Sequence, residues 1–280
     1  MGFADRLMNI DRRVIYLLIA LAVIIPLLFG WMLPIRVSPP VRQAFDAVEN
    51  LPKGGVVFIS IDFDPSSQPE IDPMLIAILR HCFSRNLKVV LMGHMPFGIP
   101  LGSQRLEEVA RESSRTYGMD YANIGYRPGY TAVMIQMGRE IRGMFETDYE
   151  GTPLDDLPMM RDIHNYGDID LLIVLAHGAS SEVWAQIANS RFGQRMIVGG
   201  TAVIAPDLYP YLQSGQIEGI IGGLKGAAEY ETLIDRPSVG VVGMVPQSVA
   251  HVLILVFIII GNLGYFYQRR RMRRESGGSF

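Results

Sequence analysis

Four side chains able to carry acid–base or metal chemistry stand at the ends of short apolar runs. Asp62 closes Val56–Asp62 and Asp64 follows it; His94 comes after Leu87–Met92 and Gly93; His177 comes directly after Ile169–Ala176. Two carboxylates and two imidazoles brought together could bind a divalent metal or work as an acid–base pair. Gly199, Gly200 and Thr201 follow Arg195–Val198, and Gly222 and Gly223 follow Gln216–Ile221. These five are candidate ligand-binding residues, because such turns can bring backbone amides near an anion at a helix start. Each group also has a structural reading. Asp64-Pro65 fits a turn, the histidines fit hydrogen-bonded turn positions, and glycines suit tight connections between strand and helix. Asp72-Pro73 reads as a helix N-cap followed by proline at the first helical position, so Asp72 stays outside the site.

Two short stretches resemble known signatures. Asp62-Phe63-Asp64 resembles the first motif of haloacid-dehalogenase-like phosphatases. Ser66 stands where that motif has Thr or Val, and no lysine with paired acids follows. Leu175-Ala176-His177-Gly178 resembles the His-Gly of caspase-like proteases. The nucleophilic cysteine of that family would end the next strand, where this chain has Gly199-Gly200-Thr201; its single cysteine, Cys82, falls in a helical pattern. Neither GxGxxG nor GxxxxGK[ST] follows a strand. No residue role is carried over from any of these patterns.

The elements that must position these residues alternate. Six short apolar runs, with Met119–Gly125 the third in order, are separated by helical patterns at Pro73–Arg85, Gln104–Tyr117, Ser181–Ser190 and Gly223–Ile234. Near-continuous apolar strands indicate a parallel sheet covered on both faces. The expected fold is therefore α/β: a doubly wound, mostly parallel, Rossmann-like sheet of five or six strands. In such a sheet ligands bind beyond the carboxyl ends of the strands, which places all the candidate residues on one rim. A helix is also expected over Thr131–Met144. The acidic, proline-containing TDYEGTPLDDLP stretch that follows reads as a surface loop or a lobe junction.

Two apolar runs bracket this domain. Val14–Leu33 contains no charge over 20 residues, about the length needed to cross a bilayer. It lacks the short core and small-residue cleavage site of a signal peptide. Met244–Tyr267 gives 24 residues and closes on Tyr265, Phe266 and Tyr267, directly before five arginines, Arg269, Arg270, Arg271, Arg273 and Arg274. Outside 34–240 eight arginines face three acids, a net of +5; the middle holds 17 Lys+Arg and 25 Asp+Glu, a net of −8. Basic flanks stay on the cytoplasmic side. The expected organisation is a cytoplasmic N-terminus (1–13), a first transmembrane helix (14–33), an extracytoplasmic domain (34–240), a second transmembrane helix (241–267) and a basic cytoplasmic tail (268–280).

Composition excludes several classes. With 49% hydrophobic and 19% charged residues, the chain is neither disordered nor a coiled coil, and nothing points to nucleic acid. One cysteine excludes a disulfide scaffold and a cysteine-based zinc site. The partners expected are the bilayer and a membrane protein, either another chain or a second copy. Ser248, His251 and Asn262 lie on one face of the second span, because eleven residues at about 100° each come within 20° of three full turns. Gly240 extends that face. Polar groups at membrane depth usually contact another helix or an aqueous cavity. The leading expectation is a membrane-anchored, non-enzymatic subunit of a larger assembly. The alternatives are a metal-assisted hydrolase using Asp62, Asp64, His94 and His177, and a tethered small-molecule sensor. The sequence names no cofactor, and leaves any metal open.

Overall fold

A computed structural model describes residues 11–31 and 34–276. Most of the expected cytoplasmic N-terminus, Met32 and Leu33 of the first expected span, and residues 277–280 of the basic tail lie outside the described residues. The chain divides into two compact units, Pro34–Val241 and the pair of terminal segments.

The central unit is an α/β domain. Its elements, in order, are α2 (Pro39–Glu49), β1 (Val56–Asp62), α3 (Gln68–Ser84), β2 (Lys88–Gly93), α4 (Gly98–Glu112), β3 (Tyr121–Tyr126) and α5 (Tyr130–Met137). Then come β4 (Leu171–Ala176), α6 (Ser180–Trp184), a π-turn (Ala185–Asn189), α7 (Ser190–Phe192), β5 (Met196–Gly200), α8 (Ala205–Gln213), β6 (Ile220–Gly222) and α9 (Gly223–Leu233). The six strands form one sheet in the order β3-β2-β1-β4-β5-β6, and every pairing is parallel. All six residues of β4 and all but the first of β1 are buried. Such strands lack polar alternation because both of their faces are covered.

Two cores do the covering. Val57, Ile59 and Ile61 of β1 pack with Ala44 and Val48 of α2, Ile71, Leu75 and Ile78 of α3, Leu106 of α4 and Tyr230 of α9. Phe58 of β1 packs on the other face with Met134 and Met137 of α5, Trp184 of α6 and Leu208 of α8. The acidic stretch expected as a loop or junction belongs to this second core. Its Leu154 and Leu157, and Met159 and Met160 just after it, are buried there, while the Tyr117 hydroxyl donates to Asp148 at 2.7 Å.

Several boundaries differ from the sequence reading, each for a local reason. α3 starts at Gln68 with Pro69 in its first turn, so Asp72 is not a cap. It lies inside the helix, where Arg105 Nε donates to its carboxylate at 2.9 Å. The helix expected over Thr131–Met144 stops at Met137, and a separate 3-10 turn covers Ile141–Gly143. Here the ring of Phe192 lies against Gly138, filling the space a side chain would need. α2 and α8 had no counterpart in the sequence reading.

The other unit holds α1 (Arg12–Phe29) and, from Val242 onward, α10 (Val239–Ser276), which is 38 residues long. Both are long and apolar enough to cross a membrane, the second over Val239–Tyr267. α1 ends before Trp31. Gly30 takes a left-handed conformation (φ 58°) and its N–H donates to the Pro26 carbonyl, closing the helix.

Candidate functional site

The carboxyl ends of β1 and β4 adjoin where the strand order reverses, and the four candidate catalytic residues gather there. Asp62 ends β1 and is buried. One carboxylate oxygen accepts the His94 backbone N–H at 2.6 Å and the other accepts the Ser60 hydroxyl at 3.0 Å. The Trp184 indole N–H donates to that same Ser60 oxygen at 3.2 Å. The Asp62 carboxylate therefore ties β1 to the turn after β2, and through Ser60 to α6.

Both histidines bond to backbone carbonyls. His94 Nδ1 lies 2.9 Å from the Arg127 carbonyl and His177 Nδ1 lies 3.1 Å from the Asp62 carbonyl. A carbonyl only accepts, so each Nδ1 carries a proton and donates it. His94 Nε2 is buried without a partner. Its ring sits with centroids 5.0 Å from Tyr130 and 5.5 Å from Trp184. Burial, then the nearby Asp62 charge, raises the Tyr130 hydroxyl above its ordinary pKa.

His177 and Asp64 form the outer part of the network. His177 Nε2 lies 3.8 Å from Asp64. Asp64 is held below the usual carboxylate range, first by the Ser66 hydroxyl, which donates to it at 2.6 Å. The Ser66 and Ser67 backbone N–H groups also donate to Asp64, at 2.9 and 3.3 Å. This is an Asx turn that starts α3.

The four residues thus form one chain of contacts, His94 to Asp62 to His177 to Asp64, largely through backbone atoms. Among the described residues no three His, Cys, Asp or Glu side chains gather into a group that could hold a metal ion. Cys82 is buried in α3 and burial pushes its thiol up to about 12, which leaves it a poor nucleophile.

Gly199 and Gly200, expected after the fifth strand, are its last two residues, Gly222 ends β6 and Gly223 opens α9, and packing sets all four. A Cβ on Gly199 would meet the Leu175 side chain at 2.5 Å, and one on Gly200 would meet Ile204 at 2.7 Å. Thr201 is buried, and its carbonyl accepts the N–H groups of Ile204 and Ala205 at 3.2 and 3.1 Å. Gly222 abuts Ala205, while Gly223 has φ +60° and lies against Ala202. The anion at this turn is the protein's own. Glu70 accepts the Ala202 N–H at 2.8 Å, and the same oxygen would lie 3.0 Å from a Cβ on Gly223.

On α10, Ser248 donates to the Met244 carbonyl and Asn262 Nδ2 donates to the Ile258 carbonyl, both at 2.8 Å. Each bond satisfies part of a polar side chain within its own helix. His251 and Asn262 are exposed. Gly240 does not belong with them. It packs on α9, where a Cβ would meet the Ala228 nitrogen at 2.9 Å.

Sequence reasoning missed two buried acids on α9. Glu229 accepts the Ser38 backbone N–H at 2.9 Å and the Ser38 hydroxyl at 2.5 Å, and pairs with Lys225. Glu231 accepts the N–H groups of Ser238, Gly240 and Val241 at 2.8, 2.9 and 2.9 Å. These are the unbonded donors at the start of α10, and the carboxylate caps them. Two acids, Glu229 and Glu231, beside Lys225 in a helix pattern of small and apolar residues were the only signal available. No known protein family, curated protein or solved structure matches the chain.

Proposed function

We propose that the protein is a two-pass membrane subunit whose α/β domain serves a larger membrane assembly without chemistry of its own. The observation that carries this reading is how the four candidate catalytic side chains are used. Two of the four, the Asp62 carboxylate and the His94 ring, are buried and bonded to the fold's own backbone and Ser60. A general acid or base must instead present its atom to a substrate.

The strand order, with a reversal between β1 and β4 and helices on both faces, supports a doubly wound, Rossmann-like sheet. The +5 on the flanks and −8 between them support cytoplasmic termini and an extracytoplasmic domain. Association is assigned to the second span, through His251 and Asn262. Back-bonding uses one N–H of the Asn262 amide and leaves its other N–H and its oxygen for a neighbour.

The test is the size of the complex after mild-detergent solubilisation. Wild type should run well above one protomer. The double substitution His251→Leu and Asn262→Leu should lower that size while leaving the domain's melting temperature unchanged. An unchanged size would remove the assembly reading. Protease accessibility of the middle domain from the cytoplasmic side alone would remove the topology.

A further inference from the structure

We propose that the groove between α4 and the edge strand β3 is a binding site for a neutral sugar. The groove lies wholly within the central domain and shares no residue with the rim of Asp62 and His94.

The groove has a volume of about 440 Å³, within the range of about 300–1,000 Å³ usual for small-ligand sites. Three segments wall it. Ser103, Glu107 and Arg111 repeat every four residues and so form one stripe on α4. Tyr121 and Asn123, two apart on β3, share the sheet face that packs against α4. Tyr117 precedes them, with its ring centroid 5.3 Å from that of Tyr121. Tyr149 and Glu150 form the third side. Buried Asp148 holds that side in place. It accepts the N–H groups of Glu150 and Thr152 at 2.9 and 2.7 Å and the Tyr117 hydroxyl at 2.7 Å. The Tyr149 N–H donates to the Asn123 carbonyl at 2.8 Å, which ties the segment to β3. A shape fixed before the ligand arrives lowers the cost of binding.

The observation that points to a ligand is the Asn123 side chain. The residue is 3% exposed. Its Oδ1 accepts the Gly125 N–H at 3.0 Å, while its Nδ2 is buried without a partner. Nearly all buried donors in folded proteins are bonded. A ligand oxygen in the groove would accept from this one.

The surrounding chemistry selects a neutral sugar. The buried end carries the Tyr121 ring and one uncharged donor, whereas Glu107, Arg111, Tyr149 and Glu150 are exposed at the mouth. A sugar ring has C–H groups on its faces, which pack on tyrosine. Its hydroxyls, around the edge, both donate and accept. The carboxylates at the mouth accept from such hydroxyls and the guanidinium donates to them. Charge opposes an anion. Arg115 is bonded to the Phe83 carbonyl and to Asn86, which leaves Arg111 facing two carboxylates.

The experiment uses the full chain in a detergent without a sugar head group. The protein is titrated with glucose, galactose, mannose, N-acetylglucosamine, maltose and cellobiose, and binding is read by saturation-transfer difference NMR. At least one of the six should bind in the millimolar range or tighter. Tyr149→Ala and Arg111→Ala change exposed side chains and should leave the melting temperature at its wild-type value. Each should weaken the binding about tenfold, the equivalent of one good contact. Adenosine and glutamate, tested in parallel, should not bind. Absence of binding by all six sugars would overturn the proposal. Sugar binding that is unchanged in either variant would overturn it too, by placing the sugar elsewhere. Adenosine or glutamate binding that the two variants weaken would assign the groove to another ligand class and overturn it as well.

Discussion

Replacing Glu231 with glutamine should loosen the start of α10 from the domain. The carboxylate is 1% exposed; one oxygen accepts from Ser238 and Val241, the other from Gly240. A glutamine amide keeps one oxygen and turns an NH2 toward at least one backbone donor. Hydrogen bonds to a charged group are worth about 1.5–3 kcal/mol each, and an orphaned buried donor costs about 1–3 kcal/mol. Loss of the negative charge at a helix N-terminus adds up to about 2 kcal/mol. These overlap, so the expected cost is about 3 kcal/mol. For a domain of this size that lowers the melting temperature by about 6–12 °C. Trp184 is fully buried in the domain, so its fluorescence on heating reports the transition in detergent. Glu150→Gln, in an exposed loop, is the control and should shift little. A Glu231→Gln melting temperature within 2 °C of wild type (about half a kcal/mol by the same scaling) would refute the clamp.

Three further outcomes follow from buried groups. His81 lies between the Tyr230 hydroxyl and Glu49, 2.8 Å from each, and burial lowers its pKa. The folded ring refuses a proton that the unfolded chain accepts below about pH 6.5. The stabilisation is therefore full above that value and falls as the pH drops below it, by at most about 1.4 kcal/mol per unit. Denaturant titrations between pH 7.5 and 5 should show a shallower pH dependence for His81→Asn than for wild type; equal slopes would refute the assignment. Asp62→Ala should destabilise the domain by about 2–3 kcal/mol, because the buried His94 amide loses its acceptor. Denaturant melts in which this variant matches wild type would show that the carboxylate does not hold the fold. Cys82 should resist maleimide in the folded protein and react once the protein is denatured; rapid labelling of the native state would contradict its burial.

The sheet was legible because its strands are buried on both faces and read as unbroken apolar runs. Asp62, His94 and His177 were found by reading the residue after each run, and the structure does bring them to one rim. Their use was not legible. The partners that occupy them are backbone groups such as the Arg127 carbonyl and the His94 amide, which carry no residue-type signature. The same holds for Glu229, whose partner Ser38 lies 191 residues away in sequence. α2, PPVRQAFDAVE, was hidden by its two opening prolines and alanine-rich buried face, and α8, APDLYPYLQ, by Pro206 in its first turn and Pro210 in its interior. TDYEGTPLDDLP read as a surface loop or a lobe junction because its charges outnumber its apolar residues, yet its Leu154 and Leu157 pack into the core. Gly240 was misread because a small residue on a helix face has the same appearance whether it meets a partner helix or its own domain.

The central claim is that the second span contacts protein through His251 and Asn262. Site-specific photocrosslinking in intact membranes tests it most directly, with benzoylphenylalanine placed at Asn262, at His251 and at Ile260, about 160° around the helix from Asn262. The account predicts protein adducts from positions 262 and 251, and lipid adducts from 260. Lipid adducts alone from positions 262 and 251 would contradict it.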